Sequence, residues 1–314
     1  MRAVTVDSVP GAPAVTELDI PRPEAGELLV KVGAASLNGI DIATAAGYLQ
    51  GMMEHRFPLV FGGDFAGTVE ALGEGVDGFA VGDAVFGAVM KPFLGAGSLA
   101  EYVVVPAGHG VAPLPAGLAV MDAGALGVAG ATAVDSLDAV ALAEGETVLI
   151  SGAGGGVGSL AVQLAAARGA KVIATARPGA QTDFLTGLTD SGTRIHVVDF
   201  TGDLESQVRA IAPDGVDTAL QLAGDIAQLS GLLRAGGRIA STLGVTQEAV
   251  KDLDVTVHTI MADPNASTLT ALAEQAVSGD LRVPVTATYP LDRATEAFAA
   301  FSSGAPGKIA VACS

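Results

Sequence analysis

Short apolar runs recur at a regular interval through the second half of the chain. They begin at residues 147, 171, 194, 217, 238 and 255, where the sequence reads TVLIS, KVIATA, RIHVVDF, DTALQL, RIASTL and VTVHTI. The intervals of 24, 23, 23, 21 and 17 residues each leave room for a helix and two turns, the last one excepted. Glycine follows two of the intervening segments as a stop signal, which predicts helices at Ser159–Arg168 and Asp225–Arg234. Strands that alternate with helices at this period predict a parallel sheet covered on both faces.

The first 120 residues follow another pattern, in which short apolar runs are separated by Gly, Pro and Asp. These runs include Leu28–Val32, Thr68–Leu72, Ala84–Phe86 and Tyr102–Val105. Few stretches are long enough for a helix, so the pattern predicts an antiparallel, barrel-like β domain.

After about Pro264 the pattern changes again. Two helix candidates, Ser267–Ser278 and Arg293–Ser302, precede a closing strand at Lys308–Ala312. We expect that strand to return to the first domain. The predicted organisation is a first domain of 1–120, an alternating domain of 121–262 and a return segment of 263–314.

Composition limits the partners and the compartment. The 314 residues are 50% apolar, and this length suggests two domains at roughly 100–200 residues each. Lys and Arg total 16 against 34 Asp and Glu, and the net charge of −18 argues against binding to nucleic acid or to an anionic membrane surface. Cys313 is the single cysteine, which excludes an intramolecular disulfide and a multi-cysteine metal site. With no apolar leader after Met1, these features predict a cytoplasmic protein without a membrane span.

A glycine-rich turn, Ser151–Gly158, lies directly between the first strand and the first helix of the alternating region. Read as A-x-G-x-x-G, it has the spacing of a dinucleotide-binding turn, and the doubly wound fold that carries such turns has six strands. Small residues there allow a tight turn, close approach of backbone N–H groups to a pyrophosphate, and close packing of helix on strand. We expect the pyrophosphate to be held by Ala153, Gly155, Gly156, Val157 and Gly158. The alternative is a tight turn without a nucleotide, whereas the missing Lys-Ser/Thr pair excludes a Walker-type loop.

The end of the second strand indicates which nicotinamide cofactor fits. A site for NAD needs an acid roughly 20 residues further on, bound to the ribose 2′-OH. The sequence there is Ala174–Pro178, which has no acid and carries Arg177 where a 2′-phosphate would lie. One charge-assisted hydrogen bond of about 1.5–3 kcal/mol corresponds to roughly a 10- to 150-fold preference for NADPH. The alternative is an arginine that is simply solvated at a strand end.

Four further motifs resemble those of the medium-chain dehydrogenase/reductase superfamily, and they follow its order along nearly the whole chain. They are Ser36–Asp41, similar to S-x-N-P-x-D with Gly39 in place of proline; Pro58–Gly67, similar to P-x-x-x-G-x-[DE]-x-A-G; Val81–Phe86, similar to V-G-D-x-V; and Gly307–Ile309, similar to G-K-[IV]. The resemblance implies an α/β fold class, with an N-terminal GroES-like β-barrel catalytic domain and a Rossmann domain whose six-stranded parallel sheet is doubly wound.

Within that superfamily the chain resembles the zinc-free branch, the quinone oxidoreductases and enoyl reductases. The superfamily's alcohol dehydrogenases hold a catalytic zinc through a Cys, a His and a further Cys or acid. Here the Cys position corresponds to Asn38 and the His position to Gly63, and the cysteine-rich lobe that holds a structural zinc is missing. The histidines lack the spacing of metal ligands; they are His55, His109, His196 and His258. We therefore expect no metal, and an alkoxide has no obvious Lewis acid to stabilise it.

The resemblance also implies roles for individual residues. NADPH would deliver hydride to a quinone or to the β-carbon of an enone, and the charge that develops on oxygen needs a donor and then a proton. Asn38 is the candidate to donate to the nicotinamide ribose or to the substrate carbonyl, and Tyr48 is the candidate to cap the oxyanion or relay a proton. The alternatives are an asparagine that stabilises a turn and a tyrosine packed on the cleft wall. Asp41 is expected to brace the loop, and Thr132 matches the branch's threonine on the nicotinamide side.

Further expectations concern the carboxyl ends of the parallel strands, a substrate pocket and the oligomer. Ligands lie outside the carboxyl ends of parallel strands, so we expect the cofactor site to be lined by Leu222, Ala223, Leu243 and Gly244. One interpretation of the apolar residues Phe61, Phe86, Phe93 and Met261 is a substrate pocket, and ordinary core packing is the other. By analogy with the branch we expect a homodimer in which the edge strand Val255–Ile260 pairs across a two-fold axis.

Three functions remain open at this point. The first is an NADPH-dependent reductase of a small apolar carbonyl compound or quinone. The second is a tailoring reductase or cyclase of secondary metabolism on the same scaffold, which would differ only in the shape of its pocket. The third is a sensor or structural protein that binds the cofactor with little turnover.

Overall fold

The computed structural model describes residues 1–188 and 195–314, and the chain forms two compact units. The first unit comprises Met1–Ala131 and Pro264–Ser314, and the second comprises Thr132–Asp263. The predicted strand RIHVVDF begins at Arg194, which lies outside the described residues.

The secondary structure alternates between strand-rich and mixed regions. The strands are β1 (Arg2–Val6), β2 (Ala14–Glu17), β3 (Glu27–Ser36), β4 (Glu54–Val60), β5 (Asp64–Leu72), β6 (Ala84–Ala88), β7 (Phe93–Ala96), β8 (Tyr102–Pro106), β9 (Val111–Pro113), β10 (Thr147–Ser151), β11 (Lys171–Ala176), β12 (Ile195–Asp199), β13 (Val216–Gln221), β14 (Leu233–Ser241), β15 (Val255–Thr259), β16 (Val285–Pro290) and β17 (Lys308–Ala312). The helices are α1 (Gly39–Ala45), α2 (Val120–Ala123), α3 (Gly127–Ala139), α4 (Gly156–Ala167), α5 (Ala180–Thr186), α6 (Leu204–Ile211), α7 (Ile226–Ser230), α8 (Ala266–Ser278) and α9 (Ala294–Ser302).

The first unit is built on two β-sheets. A seven-stranded sheet has the order β16-β17-β3-β5-β6-β9, with β8 also paired to β3, and a four-stranded sheet has the order β2-β1-β4-β7. Most strand pairs are antiparallel, as the sequence predicts, and the core includes Val4, Phe65 and Ile309. The predicted closing strand is β17, which pairs antiparallel with β3 and sets Ala310 opposite Ser36. The end of β17 nearest Lys308 therefore lies beside the end of β3.

The second unit is a six-stranded parallel sheet, which confirms the predicted doubly wound fold. Its order is β12-β11-β10-β13-β14-β15, and every neighbouring pair is parallel. This order reverses between β10 and β13, so the carboxyl ends of those two strands border the crevice where such folds bind ligands. On one face of the sheet Leu149, Ala219 and Ile239 pack in a core with the helix residues Val208 and Leu229.

The predicted helix Asp225–Arg234 is wrong in its extent. Helix α7 ends at Ser230, and β14 already begins at Leu233. The glycines that were interpreted as a helix stop lie inside a strand irregularity, where the pairing with β13 jumps from Leu233 to Arg238. Gly236 has a φ of +72°, which glycine adopts without strain. Paired glycines within a strand therefore mark a bulge here.

The other predicted helices match α4, α8 and α9 to within a few residues. The uncharged stretch that includes β10 and α4 is divided by the glycine turn into a strand and a 12-residue helix. A membrane span requires about 20 apolar helical residues, and no helix within residues 1–188 and 195–314 combines the necessary length and hydropathy.

Candidate functional site

The glycine turn after β10 has the backbone geometry of a phosphate-binding loop. Gly152 has a φ of +83°, so the tight turn falls at this residue, directly before the buried Ala153. A Cβ added to Gly158 would lie 2.3 Å from the carbonyl oxygen of Gly152, so a side chain there would force the loop away from the helix. Gly155 is exposed and directly precedes α4, whose N-terminal turn contains Gly156 and Val157. Free backbone N–H groups at such a helix start favour an anion.

A cavity of about 260 Å³ opens beside this loop, at the carboxyl ends of β10, β11 and β13. Two hydrogen bonds hold its walls: Gly152 N–H donates to Thr175 Oγ1 (3.0 Å), and Ser151 Oγ donates to the carbonyl of Ala223 (2.8 Å). The lining residues are Ser151, Gly152, Gly154, Gly155, Thr175, Gln181, Phe200, Leu204, Ala223, Gly224, Asp225, Gln228 and Leu229. Sequence reasoning missed Thr175, Gln181 and Phe200. The positions of Thr175 and Phe200 at or just after strand ends were a signal that could have found them, whereas Gln181 lies in the first turn of α5 and carried no such signal.

Arg177 directly follows β11 and is exposed beside this cavity. Its guanidinium carbon lies 5.9 Å from the centroid of the Phe200 ring, within the range of a cation–π contact. Its backbone N–H donates to Gln181 Oε1 (2.9 Å), and Gln181 also lies against Gly154 of the glycine turn. The loop, Arg177 and the cavity thus form one group, which could hold a phosphorylated adenosine.

The remaining predicted cofactor residues lie elsewhere in the second unit or at its boundary. Leu222 donates its backbone N–H to the carbonyl of Ser151 (3.1 Å), which places it against the loop. Leu243 and Gly244 follow β14, and Thr132 is a buried residue of α3. None of these four residues lines the cavity just described.

A buried lysine, Lys308, links several polar groups in the first unit through hydrogen bonds. Lys308 is 2% exposed, and its ammonium donates to Asn38 Oδ1 (2.7 Å), to Asp64 Oδ2 (3.0 Å) and to the carbonyl of Leu37 (3.1 Å). An ammonium has three donors, so each one has a partner. Charge pairing and complete hydrogen bonding allow a lysine to be buried in this way.

Asp64 is the anion that faces this lysine, and it is fully buried. Its Oδ2 also accepts from Ser36 Oγ (2.5 Å) and from Asn38 Nδ2 (2.8 Å), and its Oδ1 accepts from the backbone N–H of Val128 (2.5 Å). We name Ser36, Asn38, Asp64 and Lys308 the Asp64 cluster. The motifs S-x-N-x-x-D, G-x-D and G-K-I, which are far apart in the sequence, meet in this cluster.

Asp41 braces the same loop, as the sequence predicts. Its carboxylate accepts from the backbone N–H groups of Asn38 and Gly62, both at 2.8 Å. Burial raises the pKa of Asp41 to about 6, although both backbone hydrogen bonds and the nearby Lys308 act in the opposite direction. The bracing carboxylate therefore carries a desolvation cost at neutral pH.

Tyr48 and the predicted apolar pocket are not part of this cluster. Tyr48 lies beyond the C-terminal end of α1, whereas Asn38 lies at its N-terminal end, and the Tyr48 side chain is 77% exposed. Phe61 and Phe86 are core residues with at most 2% exposure, and Phe61 packs edge-on against Phe298 with ring centroids 5.2 Å apart. The pocket interpretation is therefore wrong for Phe61 and Phe86. The guanidinium carbon of Arg56 lies 3.5 Å from the centroid of the Phe93 ring, and Met261 is 88% exposed.

The two residues that the resemblance assigns to zinc-ligand positions do not fit zinc. Gly63 has no side chain, and the carboxamide oxygen of Asn38 is occupied by the Lys308 ammonium, whose charge opposes a dication. Across the part of the chain that the structure describes, no group of three or more His, Cys, Asp and Glu side chains is placed to hold a metal ion.

Comparisons with known proteins show which family the chain belongs to. Residues 24–116 match the alcohol dehydrogenase GroES-like domain, and residues 194–311 match the zinc-binding dehydrogenase family. The quinone oxidoreductase of Lama guanicoe is 31% identical over 331 residues, covering 98% of this chain and 96% of that protein. The chain belongs to the medium-chain dehydrogenase/reductase family, whose members bind a nicotinamide cofactor, and it is an oxidoreductase.

Two further similarities refine this placement. The structure of the quinone oxidoreductase from Coxiella burnetii superposes with a TM-score of 0.86 at 26% identity, covering 99% of each chain. The spectinabilin polyketide synthase system protein NorB of Streptomyces orinoci is 40% identical over 219 residues, which is 68% of this chain and 9% of that protein. The similarity to quinone oxidoreductases therefore extends over the whole chain, and the similarity to the polyketide protein covers one part of that larger chain.

Proposed function

We propose that this protein is an NADPH-dependent, zinc-independent reductase that transfers hydride to a quinone or to an α,β-unsaturated carbonyl compound. The observation that carries the proposal is the environment of Asn38, whose amide is held between Lys308 and Asp64. The resemblance implies that this residue stands where the family's zinc dehydrogenases have a metal ligand. A fixed amide donor stabilises charge on the oxygen of a conjugated acceptor. It does not supply the Lewis acidity that alcohol oxidation requires.

The bound cofactor would supply the hydride. Backbone N–H groups of residues 153–158 would hold its pyrophosphate, and Arg177 would hold the 2′-phosphate beside the cavity that Phe200 lines. We propose that Leu222, Ala223, Leu243, Gly244 and Thr132 complete the cofactor site, as the resemblance implies. The absence of an acid at the end of β11 supports NADPH over NADH.

Two side chains of the first unit would serve the substrate. An amide nitrogen carries two N–H donors, and Asp64 accepts one of those of Asn38, so the second would donate to the substrate oxygen. The hydroxyl of Tyr48 would cap that oxygen or pass it a proton, and its exposure keeps the hydroxyl in contact with solvent. We also propose a cytoplasmic homodimer paired through β15, which forms an edge of its sheet.

A second candidate function is a tailoring reductase of secondary metabolism. It is favoured by the 40% identity to part of the polyketide synthase system protein NorB. Such an enzyme would bind the same cofactor in the same loop and would accept one elaborate substrate.

The test is steady-state oxidation of NADPH with a panel of simple quinones, enals and enones, and the reverse assay of alcohols with NADP⁺. We expect reduction of a quinone or enone that persists after chelation, in protein without stoichiometric zinc by elemental analysis. Alcohol oxidation that disappears on chelation and returns with zinc would refute the proposal. NADPH binding without turnover of any simple acceptor would refute the proposal, and would leave the second candidate and a cofactor-binding protein with little turnover.

A further inference from the structure

The Asp64 cluster leaves the Asn38 amide only one orientation. Lysine can only donate a hydrogen bond, so the atom that faces Lys308 must be the amide oxygen. A carboxylate can only accept, so the atom that faces Asp64 must be the amide nitrogen. The two ions therefore specify which end of the amide points in which direction, and with it the direction of the second N–H.

Stability alone is a poor reason for this arrangement. A buried ion pair is often no more stabilising than apolar side chains of the same volume, because both ions lose their hydration. Lys308 and Asp64 are 2% and 0% exposed, and Lys308 is brought to the cluster from a point 270 residues away from Asn38. A pair that costs desolvation while it orients an amide indicates a positioning role.

We propose that Lys308 and Asp64 act together as positioning residues for the reduction, by holding the Asn38 amide so that its second N–H faces the substrate oxygen. Neither ion donates to or accepts from the substrate. The Ser36 hydroxyl donates to Asp64 Oδ2, the same oxygen that accepts from Asn38 and Lys308. The inference rests on the proposed function only in giving Asn38 a carbonyl oxygen to bind.

The decisive variant replaces both ions by neutral side chains of similar size, Lys308→Met with Asp64→Asn. This change removes the two opposite charges of the pair together, so it should disturb the fold less than Lys308→Met alone, which would leave Asp64 buried without its lysine. A small misplacement of a catalytic donor costs roughly 10²-fold in rate, and we expect a loss in kcat of that order with an enone. The Kd for NADPH should not change, because the predicted cofactor residues that line the cavity belong to the second unit.

Two comparisons separate positioning from general damage. In an Asn38→Ala background the double replacement should cause no further loss in kcat, whereas a loosened fold would lower kcat in both backgrounds. The matched control is Lys91→Met with Glu27→Gln, which neutralises both ions of another largely buried pair in the same unit and should leave kcat unchanged. Equal losses in both backgrounds, or a loss with this control as large as that of the Lys308 and Asp64 double variant, would overturn the inference.

A readout without turnover keeps the inference separate from the proposed function. The Asn38 side-chain amide is assigned by NMR from the resonance pair that disappears in Asn38→Ala. We expect its protons to exchange with D₂O at least about 10-fold faster in the double variant, because two of the groups that hold the amide are lost. Unchanged exchange would refute the positioning role even if the enzyme reduces enones. Faster exchange in a protein that reduces no carbonyl compound would refute only the proposed function.

Discussion

Replacing Arg177 by alanine removes the one cationic side chain that we assign to the 2′-phosphate. Charge-assisted hydrogen bonds contribute about 1.5–3 kcal/mol, and the exposure of Arg177 places its contact at the lower end of that range, because water and salt screen it. About 1.5 kcal/mol corresponds to roughly a 10-fold increase in the Kd for NADPH. NADH lacks the 2′-phosphate, so its Kd should not change.

The assay is an equilibrium titration that follows the fluorescence of the reduced nicotinamide, so it needs neither a substrate nor turnover. Arg177→Lys keeps the charge but loses the planar guanidinium, and should retain part of the preference for NADPH. The matched control is Arg168→Ala, which removes an arginine from the opposite end of α4, about 18 Å along the helix from the phosphate-binding loop. It changes the net charge by the same amount and should leave both Kd values unchanged.

Equal losses for NADPH and NADH with Arg177→Ala would refute the assignment, since they would mean that the arginine acts on the loop or on the adenosine. An equal loss with Arg168→Ala would show that overall charge sets the affinity. Raising the ionic strength should weaken NADPH binding to the wild type more than NADH binding, and the difference should be smaller in Arg177→Ala.

Three further predictions concern the first unit and the assembly. Tyr48→Phe should lower kcat by about 10²–10³ with an enone if the hydroxyl caps the oxyanion, and less with a quinone, whose reduced anion is more stable, with no change in the Kd for NADPH. Burial raises the pKa of Asp41 from 3.8 to about 6, so the folded state favours the protonated carboxyl. The contribution of Asp41 to the free energy of unfolding is therefore greatest below about pH 4 and is lost as the pH rises through about 6. Urea unfolding should show that this group removes on the order of 1 kcal/mol from the free energy of unfolding between about pH 5 and pH 7.5, and that Asp41→Asn abolishes that part of the pH dependence. Sedimentation velocity at micromolar concentration should show a dimer, since pairing through β15 covers an exposed sheet edge.

Each of these has a contrary outcome. A change of only a few-fold with Tyr48→Phe on both substrates would mean that Tyr48 packs against the substrate and that solvent supplies the proton. Parallel pH profiles of wild type and Asp41→Asn would contradict the raised pKa. A monomer in sedimentation would remove the proposed edge pairing.

The sequence alone determined the second unit in most respects. Its sheet and its glycine turn depend on local features, namely a strand and helix period of about 23 residues and small residues at one turn. Local patterns are visible in sequence because the residues that produce them are neighbours along the chain. The same reasoning failed at Gly236 and Gly237, because glycines that end a helix and glycines that permit a strand bulge look alike without the pairing partner.

Only the tertiary structure decided what surrounds Asn38. The resemblance marked the motifs that contain Asn38, Asp64 and Lys308, yet nothing local shows that they share hydrogen bonds across separations of 26 to 270 residues. Sheet register brings them together, since β3 lies between β5 and β17 and the ends of the three strands meet. The same limit explains why the sequence was compatible with Phe61 and Phe86 either in a pocket or in the core. The burial of an apolar side chain depends on the residues that the fold packs against it, and these residues lie far apart in the chain.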